Sequence, residues 1–216
     1  MINVYLMPGM SANSLIFEKI KFPSNFVLHF LNWIPPEHEE SLENYAKRFS
    51  KLINHEMPVL IGVSFGGVLV QEISKIINVK KLIIISSVKS NDEFPPQMKF
   101  AKVTKSYKLL PFKWINDFEY LISFVLGPKA KKRVELYRKY LSVRDKNYLN
   151  WAIRELIEWK QNKPLKNVIH IHGSNDIIFP KIFIKDFIEL PKGDHAMILK
   201  RGDWINKKLP KIIMKN

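Results

Sequence analysis

The stretch Pro58 to Gln71, PVLIGVSFGGVLVQ, limits what this chain can fold into more than any other. Pro58-Val59-Leu60-Ile61-Gly62 is apolar without alternation and reads as a buried strand running into a turn. Val63-Ser64-Phe65 makes the turn, and Gly66 to Gln71 opens an apolar helix. At the centre stands Gly62-Val63-Ser64-Phe65-Gly66, a G-x-S-x-G. In such a nucleophile elbow the serine sits on a sharp strand-to-helix turn at strained dihedrals. Glycines flank it because the two backbones pass too close for a side chain. The turn lifts the hydroxyl above the sheet edge. It also aims the free N–H groups and positive dipole end of the helix at whatever the hydroxyl attacks. A bare G-x-S-x-G is a weak signal that also fits a tight turn with an incidental serine. A strand before it and a helix after it are what give it meaning.

The rest of the chain repeats the alternation. Ile2 to Met7, ended by Pro8-Gly9, reads as a first strand, and Ser11 to Ile20 as a helix starting near Ser14. Phe26 to Trp33 reads as a second strand, broken by Pro35-Pro36. Ser41 caps a helix carrying Tyr45, Phe49, Leu52 and Ile53, with acid in its first turn. The elbow helix is expected over Phe65 to Ile77, and Lys81 to Ser87 is another unbroken apolar strand. From Val88 to Lys166 there is no strand signal. Helices are expected there over Trp114–Leu126, Val134–Val143 and Asn147–Asn162. The β/α pattern resumes with a strand at Asn167–His172, a last strand within Ile182–Leu190 and a closing helix over Trp204–Ile213. Apolar runs without alternation mark strands covered on both faces. The expected fold class is therefore α/β, an open, mostly parallel, doubly wound sheet. Residues 1–87 and 167–216 would form its core, with 88–166 a helical insertion.

Composition narrows the function classes. A chain of 216 residues with 46% apolar and 12% aromatic residues can bury one full core. There is no cysteine, so disulfides, cysteine-ligated metals and a Cys nucleophile drop out together. The lack of any H-x-H or H-E-x-x-H pattern also counts against a metal, and no cofactor is expected. The N-terminus already reads as a strand rather than a signal peptide, and no apolar run nears the roughly 18 residues of a membrane span. A soluble cytoplasmic protein is the default expectation. The formal charge of +15 invites a nucleic-acid reading. However, the lysines are spread along the whole chain, which argues against that reading. Lys99, Lys102, Lys105 and Lys108 form one local cluster, and Lys129, Lys131, Lys132 and Arg133 another. Each reads as a solvated helix face or an anion-attracting rim.

In doubly wound sheets functional groups gather at the carboxyl ends of the strands. Pro8-Gly9-Met10 follows the first strand, Ser64 the elbow strand, Gly173-Ser174-Asn175-Asp176 the NVIHIH strand, and Gly193-Asp194-His195 the last. The order Ser…Asp…His and these loops resemble the α/β-hydrolase fold family, over Val4 to about Leu209. The resemblance implies that Ser64 in GVSFG is the nucleophile, Asp176 in HGSNDIIFP the acid and His195 in GDHAMI the general base. It also implies that the backbone N–H groups of Met10 and Phe65 form an oxyanion hole. In one departure, Pro8-Gly9 stands where the family often has His-Gly; the donor is a backbone group, so the hole can survive. Asp194 and Asp92 are weaker candidates for the acid. His170 and His172 read as core or edge histidines.

The chemistry needs these residue types. A hydroxyl becomes a useful nucleophile when a base takes its proton, and imidazole titrates near neutrality. A carboxylate on the far ring nitrogen fixes the tautomer. The resemblance thus implies a serine hydrolase acting on a small-molecule carboxylic ester or thioester, with 88–166 as a cap. A few of the aromatics Phe94, Phe100, Phe112, Trp114, Phe118, Phe124, Trp151 and Trp159 would line an apolar acyl pocket. Amidase, C–C lyase and cofactor-free peroxidase chemistry on the same triad are alternatives, as is a non-catalytic binding role. Oligomeric state is not legible in the sequence.

Overall fold

Residues 1–109, 136 and 138–215 are described in a computed structural model of the chain. The apolar runs become six strands: β1 (Ile2–Met7), β2 (Phe26–Phe30), β3 (Val59–Val63), β4 (Lys81–Ile85), β5 (Val168–Gly173) and β6 (Ile188–Leu190). They form one sheet in the order β2-β1-β3-β4-β5-β6, and every pairing is parallel. Among the described residues the helices with both ends defined are α1 (Leu42–Ser50), α2 (Phe65–Ser74), α3 (Pro96–Thr104), α4 (Lys146–Glu158), α5 (Met197–Lys200) and α6 (Gly202–Met214). The strand order turns back at β1, whose neighbours β2 and β3 lie on opposite sides, so the loops after β1 and β3 flank a topological switch point.

Both faces of the sheet are covered, which is why its strands do not alternate. On one face Tyr5, Met7, Leu60, Leu82 and Ile84 pack with Leu42, Tyr45 and Phe49 of α1 and with α2. On the other, Val4, Leu6, Val59, Ile61, Ile83 and Ile85 pack with Met197, Ile205, Leu209 and Ile213. Residues Phe65 through Ile73 of α2 are all buried, so this helix lies inside the molecule, not on it. Ser41 caps α1 as expected, its Oγ accepting from the Asn44 N–H at 3.2 Å.

Several elements differ from expectation for identifiable reasons. The helix expected over Ser11–Ile20 shrinks to one 3-10 turn, Ser14–Phe17, capped by Asn13. Ser11 sits at φ 65°, and the Glu18 and Ile20 N–H groups reach back only three residues, to Leu15 and Phe17. The second strand ends at Phe30 because β1 ends at Met7 and the following Pro8 has no N–H to pair; Trp33 turns off the sheet. Segment 182–190 contributes a strand only at Ile188–Leu190: Lys181–Phe183 is a 3-10 turn and Asp186 sits at φ 44°. The helix expected over Asn147–Asn162 starts at Lys146, capped by Asp145, and stops at Glu158. Between the neighbouring strands β4 and β5, the described part of 88–166 is helix, turn and loop. The expected helix Trp114–Leu126 lies outside the described residues, as do Lys129, Lys131, Lys132 and Arg133.

The glycines of the elbow are explained by contact. A Cβ on Gly62 would sit 2.3 Å from the Gly66 carbonyl oxygen, and one on Gly66 would sit 2.3 Å from the Pro8 oxygen and 2.7 Å from that of Met7. These are backbone neighbours that cannot swing aside. Gly66→Ala is therefore expected to destabilise the fold by about 1–3 kcal/mol, the usual cost of overpacking a filled interior. Urea unfolding checks this: the midpoint falls with the slope unchanged, whereas a wild-type midpoint would contradict the close approach.

Candidate active site

Ser64 adopts φ 51°, ψ −123°, a conformation that L-residues avoid and that costs on the order of 1–3 kcal/mol. Three hydrogen bonds hold it there. Its N–H donates to the Ile85 carbonyl at 2.9 Å, and its carbonyl accepts from the Gly67 N–H at 2.8 Å and from Ser87 Oγ at 2.7 Å. Ser87 follows β4, and a Cβ on Gly67 would lie 2.5 Å from its hydroxyl, so the second glycine of GG makes room for that bond.

Asp176 lies in the turn after β5 and is buried. Its Oδ1 accepts from the N–H groups of Ile178, at 2.9 Å, and Phe179, at 3.0 Å, leaving Oδ2 for His195 Nδ1 at 2.9 Å. Burial alone would raise the Asp176 pKa, but the attraction and hydrogen bond of His195 and the Phe179 N–H hold it below the usual carboxylate value. His195 follows β6, and its Nε2 lies 3.0 Å from Ser64 Oγ. A carboxylate can only accept, so His195 carries its hydrogen on Nδ1 and turns the Nε2 lone pair toward the serine hydroxyl. The loops carrying Asp176 and His195 are strapped together. A Cβ on Gly173 would sit 2.3 Å from the Gly193 oxygen, the Asn175 N–H donates to that oxygen at 2.8 Å, and the Lys192 N–H donates to Ser174 Oγ at 2.7 Å.

Behind Asp176 stand two buried histidines of β5. His172 Nε2 faces the Phe179 carbonyl at 2.8 Å, so it carries the hydrogen, and its Nδ1 takes a bond from His170 Nε2 at 3.2 Å. Burial lowers the pKa of both, and for His170 the neighbouring His172 adds to the effect. The sequence left them as core or edge histidines and gave no sign that they back the loop carrying Asp176. The rival acids are engaged elsewhere. Asp194 accepts from the Ala196 N–H at 3.1 Å and pairs with Lys200, and Asp92 is exposed in a 3-10 turn.

Gly9 closes on the elbow: a Cβ there would be 3.3 Å from Ser64 Cβ and 3.9 Å from its Oγ. The next residue, Met10, gives its N–H to no other backbone group among the described residues. Phe65 is the first residue of α2, where N–H groups have no helical acceptor. Three lysines of the first cluster join parts of the segment 88–166 to one another: Lys99 donates to the Asp92 carbonyl at 2.8 Å, Lys102 to that of Trp159 at 2.7 Å, and Lys105 pairs with Glu158 at 2.5 Å.

Of the aromatics expected around an acyl pocket, Phe94, Trp151 and Trp159 are core residues and Phe100 is 65% exposed. Phe112, Trp114, Phe118 and Phe124 lie outside the described residues. A cleft of ≈ 570 Å³ between Pro36–Glu39 and α4 is lined by His38, Tyr107, Asn150 and Arg154 among others, and Ser64 is not on it. Among the described residues no three His, Asp or Glu side chains converge as a metal-ligand set. Nor, among those residues, is any helix long and apolar enough to cross a membrane.

By sequence, no family model and no curated protein matches the chain. By structure, it is similar to an α/β-hydrolase fold protein from Burkholderia ambifaria, at 15% identity and a TM-score of 0.68, covering 97% of this chain and 90% of that one. It is also similar to a carboxylesterase structure from Nitrososphaera gargenis, at 16% identity and TM-score 0.70, covering 98% and 89%. A third likeness is to a Mycobacterium tuberculosis protein named as a candidate non-heme bromoperoxidase, at 10% identity and TM-score 0.71, covering 98% and 91%. The chain has the fold these proteins share.

The buried histidines give stability a definite pH dependence. His29, His170 and His172 have native pKa values lowered chiefly by burial, so below about 6.5 the unfolded chain binds more protons than the native one and stability falls with pH. Asp176 adds to this at lower pH, its contribution being lost as pH falls through its depressed native value. Glu93 works in the opposite sense, since burial raises its pKa and its contribution fades as pH rises above the ordinary carboxylate range. Melting temperature is therefore expected to drop as pH falls from about 6.5 to 5, and His170→Gln, which cannot take the proton, should flatten that limb. A wild-type curve flat over that range would contradict the buried neutral pair.

Proposed function

On the α/β-hydrolase fold that the chain shares with its structural neighbours, we propose that the protein is a serine hydrolase of carboxylic esters or thioesters. One observation carries this reading: a single imidazole, His195, spans Asp176 at 2.9 Å and Ser64 at 3.0 Å. Ser64 Oγ attacks the substrate carbonyl as its proton passes to His195 Nε2. The Met10 and Phe65 N–H groups receive the developing oxyanion. The tetrahedral adduct collapses and expels the leaving group, which takes the proton from His195. Water then attacks the acyl-enzyme, with His195 as base, and releases the acid and Ser64. Asp176 keeps the imidazole in the working tautomer and stabilises its charged form. The segment 88–166 serves as the cap that shapes the acyl site, and the substrate is a small molecule. No cofactor takes part in this cycle.

The bromoperoxidase name of one neighbour favours one second reading on the same triad, in which hydrogen peroxide replaces water at the acyl-enzyme and a peracid leaves.

The test is turnover of p-nitrophenyl esters of graded acyl length, beside labelling by a fluorophosphonate. Ser64→Ala is expected to abolish both. Asp176→Asn should keep the fold and lower kcat by roughly 10³–10⁴, because the imidazole then presents the wrong tautomer. A folded wild type that neither turns over any ester nor reacts with the fluorophosphonate would move the protein to a non-catalytic role. Reaction with the probe but with no ester would instead point to an amide or C–C substrate.

A further inference from the structure

Trp33 lies just beyond the end of β2, 9% exposed, and it touches both segments that carry the oxyanion donors. Its Nε1–H donates to the Gly9 carbonyl at 2.8 Å. That carbonyl and the Met10 N–H belong to one planar trans peptide, so fixing the direction of the oxygen fixes the N–H in the opposite direction. The Ala12 N–H donates to the same oxygen at 3.1 Å, giving the peptide two anchors on its carbonyl side. A carbonyl that accepts hydrogen bonds also polarises its own amide and makes the N–H a stronger donor. The face of the same indole lies on the Phe65 ring, with centroids 5.2 Å apart and planes 11° from parallel. Phe65 carries the second donor. The indole is itself wedged against Tyr148, at 5.3 Å, and Tyr45, at 6.3 Å, so it cannot turn away without opening the core.

We infer that Trp33 is a positioning residue of the oxyanion hole: it aims the Met10 N–H through the Gly9 carbonyl and sets its spacing from the Phe65 N–H by stacking. The inference rests on the serine-hydrolase reading above and adds to it a side chain that never meets substrate. It also accounts for the Pro8-Gly9 departure, since a proline offers the turn no N–H of its own and the turn is held from the side of β2 instead.

The test separates the indole N–H from its bulk. Trp33→Phe keeps a stacked ring and loses the donor. The first readout is the rate of Ser64 labelling by a fluorophosphonate, which needs no substrate. In that reaction Ser64 Oγ forms the O–P bond as fluoride leaves, the hydroxyl proton passes to His195, and the phosphoryl oxygen occupies the hole. Trp33→Phe is expected to slow labelling at least about 10-fold, within the range lost with a whole donor. With the best p-nitrophenyl ester, kcat should fall by a similar factor while KM moves less than about two-fold, as for an interaction made only in the transition state. If Trp33→Phe does not fold, 3-benzothienylalanine at position 33, which puts sulfur where the N–H was, gives the same readouts with the shape kept. Labelling within two-fold of wild type would overturn the inference and leave the hydrolase reading standing. A rise in KM with unchanged kcat would overturn it too, as the mark of a merely structural role. Failure of the wild type itself to label at Ser64 would bring down the underlying reading instead.

Discussion

The passage of the first turn of α2 across the end of β1 is the constraint on which the site depends. The backbone of Gly66 lies so close to the Met7 and Pro8 carbonyls that no side chain fits between them. That contact makes the elbow and the turn after β1 one body. It also obliges Ser64 to reverse the chain within a single residue, at φ 51°. The strain is of order 1–3 kcal/mol. Against it stand the burial of Phe65, Val68, Leu69, Val70 and Ile73, each contributing roughly 1.5–3 kcal/mol, and three hydrogen bonds at Ser64. Even discounted for a compact unfolded state, that burial outweighs the strain several-fold. A strained serine persists here because the helix behind it is an interior element.

The fold and the loops that carry the candidate site were legible because both are written in local pattern. Unbroken apolar runs meant strands covered on two faces, and the loops after them carried Ser64, Asp176 and His195 in one order. What was not legible depends on pairing across distance. The second strand was read three residues too long because nothing in FVLHFLNW tells where its partner β1 stops. Ser87, which holds the elbow carbonyl, looked like the tail of a strand. Trp33 looked like one more apolar strand residue, and only the fold brings its N–H to Gly9. His172 was left as a core or edge histidine, and its bond to the Phe179 carbonyl depends on a turn whose shape the sequence does not state. The boundaries within 88–166 were the least readable, since Phe94, Trp151 and Trp159 there pack into the core and Lys99, Lys102 and Lys105 bond to other parts of the same segment rather than forming a helix face of their own.

A buried polar network fixes the inserted segment to the elbow helix. Gln71 of α2 donates to the Gly67 and Val88 carbonyls, and Gln161 donates to Gln71 Oε1, at 3.0 Å, and to the Lys89 carbonyl, at 2.7 Å. Nearby, Trp159 Nε1 donates to Glu72 at 2.7 Å. An apolar joint of the same area would hold as well but could slide by a rotamer. Directional bonds between buried groups resist such a slide, because it would break the Gln71 and Gln161 bonds in the interior. Lys89 and Glu93 extend the logic toward β6. The ammonium of Lys89 meets the Lys185 and Asp186 carbonyls, and Glu93 accepts the Lys89 and Lys185 N–H groups. Their own separation of 3.7 Å is too long for a hydrogen bond, so it is the backbone contacts that make their burial tolerable.

The same economy of partners governs Asp176. Two backbone N–H groups occupy Oδ1 of Asp176, which leaves Oδ2 as the oxygen open to an imidazole. Two imidazoles lie within reach: His195 at 2.9 Å and His172 at 3.8 Å. A protonated His172 would compete for that oxygen and draw charge away from His195. Full burial and the nearby His195 lower its pKa, His170 Nε2 occupies its Nδ1, and the Phe179 carbonyl takes its one hydrogen. The carboxylate is thus left to one partner, and the order of the chain after β5 and β6 makes that partner the histidine facing Ser64.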